Sequence, residues 1–349
     1  MKILATVTAL VLLGGCGSSD EDSVRFSGTS RVAEPKPEPT VKPIVKELDA
    51  EPVKIEKPQV VAEEVPARDT TEFFFSNSVQ QQINMIWVVD NSGSMYDENE
   101  YVRQNLSDFA SKVADNSNLN IALIGGSELS GIYYGDNKVN HLKTNVGSYD
   151  ALQMVSAALC TEPDTGDNPS RKQICGRKMS KGRFQGNYVS NVRGKLDGFF
   201  QDYAKNIVVV VTDDDASGVD ENNFLSLLAG QNIPTDLQVF GFIGKSFSRS
   251  CEKASRGSAY ERLAEETGGK TYDICDDWGE SFDDLTESVL KIERRPIKLE
   301  RKPKKINWVK IDDKIINPRL YYLSRDNFLV IKGYDLEENA GDISVNYKW

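Results

Sequence analysis

Histidine and closely spaced cysteines are what this chain most lacks. His141 is the single histidine in 349 residues; it cannot form a base–nucleophile pair by itself, and in its polar stretch it reads as exposed. There is no Gly-x-Ser-x-Gly elbow and no Cys-x-x-Cys spacing, which disfavours nucleophilic hydrolysis and a thiolate metal site. The apolar stretch from Ile3 to Leu13 is too short to cross a bilayer core as a helix. A net charge of −11 and an isoelectric point near 4.9 exclude a general role in coating nucleic acid.

What is present begins with a processing signal. Met1-Lys2, the apolar stretch and the small residues Gly14-Gly15 before Cys16 make a secretory signal peptide over residues 1–15. Leu13-Gly14-Gly15-Cys16 resembles the lipobox of bacterial lipoproteins, which implies that Cys16 becomes the diacylated first residue. By the same resemblance Gly17, standing where an aspartate would signal inner-membrane retention, implies an envelope protein anchored by lipid at the outer membrane. Removing Cys16 leaves Cys160, Cys175, Cys251 and Cys275, an even set suited to an oxidising compartment. The local pairs Cys160–Cys175 and Cys251–Cys275 are expected, each closing a loop segment and each worth on the order of 3 kcal/mol.

From residue 16 to about 72 the composition shifts: seven of the thirteen prolines fall between Pro35 and Pro66, interleaved with Glu and Lys. Such a segment cannot bury enough apolar surface to offset its ordering entropy. Repeated proline favours an extended form rising about 3.1 Å per residue. The segment reads as a disordered tether that lifts a head, residues 73–293, off the membrane; an unstructured tail without spacing function is the alternative.

The head starts with a strand-length apolar run, Ile83 to Val89, followed by Val102, Leu106, Phe109 and Val113 at helical spacing. The alternation continues: a strand at Leu119–Ile124, a helix from about Tyr149 to Leu159, an apolar run at Val192–Tyr203 and a strand at Ile207–Val211. Next come a helix near Phe224–Ala229, strands at Leu237–Ile243 and Lys270–Ile274, and helices near Tyr260–Thr267 and Phe282–Ile292. Near-continuous apolar strands separated by amphipathic helices predict an α/β fold, Rossmann-like, with a mostly parallel sheet and helices on both faces. Ligands of such sheets sit beyond the carboxyl ends of the strands.

Polar residues cluster at those ends. Asp90, Ser92 and Ser94 follow one strand and Thr212-Asp213-Asp214-Asp215 another. Alternate spacing lets Asp90, Ser92 and Ser94 aim oxygens at one centre, with Gly93 easing the turn. Hydroxyls and carboxylates without thiolate or imidazole suit a hard divalent ion, Mg²⁺, Mn²⁺ or Ca²⁺. With few charged ligands, the ion would stay electron-poor and accept a carboxylate from another molecule.

Over about residues 80–293 this pattern resembles a von Willebrand factor A domain, the fold of integrin I domains, with part of a metal-ion-dependent adhesion site. The resemblance rests on Val89-Asp90-Asn91-Ser92-Gly93-Ser94-Met95 and on Val211-Thr212-Asp213, each after an apolar strand. It implies Asp90, Ser92 and Ser94 as first-loop metal ligands and Asp213 as the later aspartate. The threonine that the family places before the intervening helix is matched poorly: Ser148, nearest the helix start and also a candidate N-cap, or alternatively Thr144. The insertion from Cys160 to Phe184 lies between elements flanking the rim and reads either as partner-selecting or as a disulfide-tethered surface loop.

Lesser features remain. Arg294-Arg295, Lys298, Arg301-Lys302 and Lys304-Lys305 read as a solvated interdomain joint or a contact for anionic headgroups or polysaccharide. The acidic residues from Asp276 to Asp284 suit a helix start, and Tyr133-Tyr134 reads as edge-strand packing or a contact surface. Residues 294–349 form short β-like runs, a small antiparallel β unit leaning on the head or on Phe73–Phe75. The expected function is metal-dependent binding of a protein or glycan partner, with no nucleic acid and no enzymatic activity. The alternatives are a structural envelope component with a loop-stabilising ion, or a metal-dependent hydrolase.

Overall fold

β-Branched and aromatic residues build the central strands, and helices cover both faces. The computed structural model describes residues 68–75, 80–161, 173–175, 177–178, 189–245, 255–292, 294–333 and 341–349. The chain divides into units of residues 1–63 and 64–349, and every described residue falls in the second. The signal peptide, Cys16, the tether as far as residue 67, Cys251 and most of the insertion lie outside the described residues.

Strand β1 (Asp69–Phe74) is followed by β2 (Gln82–Val89), α1 (Tyr96–Ala114), β3 (Asn118–Gly125), a hairpin of β4 (Tyr133–Tyr134) and β5 (Asn137–Lys138), β6 (Asn140–Lys143) and α2 (Ala151–Leu159). Then come a hairpin of β7 (Gln173–Ile174) and β8 (Arg177–Lys178), β9 (Lys205–Thr212), α3 (Glu221–Gly230), β10 (Leu237–Ile243), α4 (Ser258–Thr267), β11 (Thr271–Asp273) and α5 (Trp278–Leu290). Six strands form one sheet in the order β11-β10-β9-β2-β3-β6, every neighbouring pair parallel. The chain winds one way from β2 to β3 and the other way from β9 to β10, so the switch point lies between β2 and β9.

Strand periodicity gives each face its own core. Ile86, Val88, Val208 and Val210 pack with α2, α3 and α4, while Met85, Trp87, Val89, Val209 and Val211 pack under α1 and α5. Trp87 stacks on Phe282 at 5.6 Å and meets Phe109 edge-on at 5.6 Å. Residues 192–198, inside the apolar run read at Val192–Tyr203, form a series of turns instead, because Gly194 and Gly198 adopt positive φ, 65° and 67°. Cys160 and Cys175 are disulfide-bonded. Cys275 is also in a disulfide, its partner outside the described residues.

The C-terminal unit contains β12 (Arg294–Lys298), β13 (Lys305–Ile311), β14 (Lys314–Ile315), β15 (Tyr321–Leu323), β16 (Phe328–Lys332) and β17 (Ile343–Lys348). They form two antiparallel sheets, β1-β17-β13-β14 and β12-β16-β15, around Val309, Ile311, Leu329, Ile331, Val345 and Tyr347. Two features differ from the sequence reading. Residues 69–72, assigned to the tether, and Phe73–Phe74, assigned to the head, are one strand paired with β17; of the two supports expected for the β unit, the segment at Phe73 is one it uses, and the strand extends back into the residues assigned to the tether. Arg294 and Arg295 are buried, not solvated. Arg294 donates to the Ala204 carbonyl at 2.9 Å and pairs with Asp236, which also pairs with Lys332. Ala204 and Asp236 precede β9 and β10, so the β unit joins the head at the amino ends of the parallel strands.

Candidate metal-binding site

The opposite, carboxyl ends of β2 and β9 meet at the switch point. The Asp90 N–H donates to the Val211 carbonyl at 2.9 Å, which brings Asp90 beside Thr212-Asp213. Asp90 is fully buried. One of its oxygens accepts from the Ser92 N–H at 2.8 Å, the other from the Thr212 hydroxyl at 2.8 Å. Asn99 on α1 donates to the carbonyls of Asp90 and Met95 at 3.1 and 2.7 Å, fixing the loop to the helix. Asn91 bridges to the neighbouring loop: its Oδ1 accepts from the Val146 N–H at 2.8 Å, and its Nδ2 donates to Asn145 at 3.1 Å.

Around this frame the sequence-predicted residues take distinct places. The Ser92 and Ser94 hydroxyls lie 3.2 Å apart at a single 3-10 turn, Gly93–Met95. Gly93 has open space where a Cβ would stand and is not among the positive-φ glycines, so the turn does not require glycine there. Ser148 lines a cleft of about 230 Å³ together with Asn91, Ser92 and Asp150. Thr144 is outside that lining; it is buried, and its hydroxyl accepts from Asn191 at 3.5 Å. Asp213 is buried at the end of β9. Asp214 instead accepts from the Ser255 hydroxyl at 2.9 Å, and Asp215 accepts from the Ala259 N–H at 2.8 Å in the first turn of α4. A wider cleft of about 730 Å³ opens from Asn91, Ser92 and Gly93 along α1 past Tyr96 and Tyr101 to Glu128.

The electrostatics favour a cation. Burial pushes the Asp90 carboxyl up to about 6 against the pull of Ser92 and Thr212, with the Asp213 charge adding to the rise. Asp150 is likewise pushed up to about 6, by burial and then by Asp90. Glu98 is raised by burial and by the charges of Asp213, Asp97 and Asp90. None of the ion pairs among the described residues involves Asp90 or Asp150, and Asp150 Oδ1 is buried without a hydrogen-bond partner. No three acidic, histidine or cysteine side chains among the described residues converge on one point. An ion held here would therefore take hydroxyl oxygens and water beside carboxylate, the donor set of Mg²⁺, Mn²⁺ or Ca²⁺.

Sequence reasoning missed Asn91, Asn99 and Asp150, and it placed Thr212 in the polar cluster without a role. Thr212 holds Asp90, a contact that only the pairing of β2 with β9 creates. The sequence offers no signal for Asp150: a carboxylate at the start of α2 without a capping hydrogen bond is visible only in three dimensions. His141 is half-buried on β6, its ring within 3.2 Å of the Gly125 carbonyl.

No family model matches the chain, and no curated protein matches it. Among solved structures it is similar to the pilus adhesin SpaC from Lactobacillus rhamnosus GG, at 11% identity over 81% of this chain and 41% of that one, TM-score 0.32. It is also similar to a von Willebrand factor type A protein from Catenulispora acidiphila, at 10% identity over 80% of this chain and 64% of that one, TM-score 0.32. The human COPII-coat protein Sec24c follows at 8% identity, 80% and 42% coverage, TM-score 0.28. The chain spans less than two thirds of the length of each. Likenesses this distant leave the site to be argued from its own geometry.

The described half of the insertion's disulfide lies away from the rim. Ile174 and Cys175 pack in the core around α2, where the Cys175 Sγ lies 3.5 Å from the Ser156 carbonyl oxygen. Cys160 follows the end of α2 opposite Asp150.

Proposed function

We propose that the chain is a lipid-anchored protein of the bacterial envelope whose von Willebrand factor A-like head binds a protein or glycan partner through a divalent ion. The observation that carries this reading is the buried carboxylate of Asp90, held at both oxygens, with the Ser92 and Ser94 hydroxyls beside it. Asp90, Ser92, Ser94, Ser148 and Asp213 would hold the ion. An ion so held carries few formal charges from its ligands and leaves a coordination position for a partner carboxylate. The wider cleft along α1 would receive the rest of the partner. Binding, not catalysis, is the role: the described residues place no second base beside the hydroxyls other than carboxylates.

Calorimetric titration of Mg²⁺, Mn²⁺ and Ca²⁺ into residues 64–349 tests this. Saturable binding that Ser92→Ala and Asp213→Ala weaken strongly, with unchanged far-ultraviolet circular dichroism, is the expected result. A folded head that binds none of the three ions would overturn it.

A further inference from the structure

The β unit carries a charged, open surface that the metal site does not use. Residues 294–349 contain thirteen Lys and Arg against eight Asp and Glu, in a chain of net charge −11. Strand register sorts the side chains. Phe74, Val309, Ile311, Ile343, Val345 and Tyr347 face the core, so the alternate positions of β1, β17, β13 and β14 form the outer face.

Three rows cross that face. Phe73 lies opposite Ser344, Ser344 opposite Lys310 and Lys310 opposite Ile315; Phe73 and Ile315, at the two ends, are 74% and 67% exposed. The middle row is Thr71, Asn346 and Trp308. It is joined by Asn346 Nδ2 donating to Thr71 at 2.8 Å and by Asn307, at the bulge between Ile306 and Trp308, donating to Asn346 at 2.6 Å. The third row is Asp69, Lys348 and Lys305. The Lys310 ammonium sits 4.7 Å from the centre of the Trp308 ring.

This arrangement is poorly compensated by the protein itself. Lys305 and Lys348 are direct cross-strand partners, and like charges so placed destabilise a sheet. Asp69 is the one carboxylate in these rows. None of Lys305, Lys310 and Lys348 forms an ion pair among the described residues. Neither the exposed Phe73 ring nor the half-buried Trp308 ring belongs to the core of the unit.

We infer that the outer face of the β1-β17-β13-β14 sheet binds an acidic polysaccharide. Flat aromatic faces at Trp308 and Phe73 suit sugar rings, the Asn and Thr side chains suit their hydroxyls, and the lysines, which form no ion pair among the described residues, meet the carboxylates of the polysaccharide. A bilayer surface would want the apolar groups contiguous at a rim, whereas here amides and lysines separate Phe73 from Ile315. The face lies on the unit joined to the amino ends of the parallel strands, and its occupation is independent of the ion.

The test uses the full chain in chelator with polygalacturonate as the probe, beside neutral dextran, single-stranded oligothymidylate and phosphatidylglycerol vesicles. Binding to polygalacturonate but not dextran is expected, weakening with salt, and falling roughly tenfold or more in a Lys310→Gln/Lys348→Gln variant. Both substitutions lie on the open face, so the variant keeps the wild-type melting curve; Trp308→Ala is expected to lose binding as well. Absence of binding, equal binding by the double variant, or tighter binding to oligothymidylate or vesicles would each overturn the inference. Because chelator is present throughout, none of these outcomes touches the metal reading.

Discussion

At the scale of single residues, the rim holds charges that the bare protein accommodates badly. Burial pushes the Asp90 and Asp150 carboxyls up from the usual 3.8 to about 6 in the fold. The folded chain therefore binds these protons more tightly than the unfolded one. The associated stability is complete below about pH 4 and is lost as pH rises through about 6. One such group contributes roughly 2 to 3 kcal/mol, and two interacting groups less than twice that. In chelator the head is expected to melt at higher temperature at pH 5 than at pH 7.5, and saturating Mg²⁺ should raise the pH 7.5 melt most. A flat metal-free profile would show that the two carboxylates are already compensated. Thr212 acts through Asp90: replacing its hydroxyl by a methyl in Thr212→Val frees one Asp90 oxygen without removing an ion ligand. Loss of such a partner typically weakens metal affinity about 10- to 100-fold, which calorimetry would measure; unchanged affinity would mean that Asp90 is positioned otherwise.

At the scale of elements, two tethers fix what the strands alone leave loose. Lys205 at the start of β9 is 1% exposed, and its ammonium donates to the carbonyls of Ser288, Val289 and Lys291 at 3.0 to 3.1 Å. Its charge thus satisfies the carboxyl end of α5, where a helix presents unpaired carbonyls and negative potential. Lys205→Met keeps the stem and strands those carbonyls, for an expected loss of about 2 to 4 kcal/mol in urea denaturation of the head. The Cys160–Cys175 bridge closes a separation of 15 residues, worth about 3 kcal/mol in the loop-entropy description. Cys160→Ser/Cys175→Ser should lower the denaturation midpoint and leave ion affinity unchanged, since the bridge lies at the end of α2 remote from Asp150. A loss of ion affinity in that variant would tie the insertion to the rim.

At the scale of the whole molecule, the β unit depends on a strand from the other end of the chain. Phe74 packs into its core, Glu72 accepts from the Tyr347 hydroxyl, and six residues of β1 pair with β17. A chain starting at residue 80 should therefore keep the parallel-sheet head but expose β17 as an open edge. Limited proteolysis should cut within residues 299–349 in that chain and not in one starting at residue 64. Equal resistance of the two chains would show that β1 is dispensable.

Five of the six strands of the parallel sheet and the helices around it were legible in the sequence because their signal is local; the short polar edge strand β6 (Asn140–Lys143) was not. Ile83–Val89 and Ile207–Val211 are apolar runs of strand length, and Val102, Leu106 and Phe109 recur at helical spacing; each pattern follows from a short stretch of chain. The clustering of Asp90, Ser92, Ser94 and Asp213 at strand ends was legible for the same reason. What only the tertiary structure decided involves residues far apart in sequence. The hydrogen bond from Thr212 to Asp90 needs β2 beside β9, the buried Asp150 needs α2 seated against the rim, and the pairing of β1 with β17 needs both ends of the described chain. The lysine, tryptophan and asparagine rows of the outer sheet face belong to this second class. Alternation tells which side chains share a strand face, but register across strands, shifted here by a bulge at Asn307, decides which of them meet.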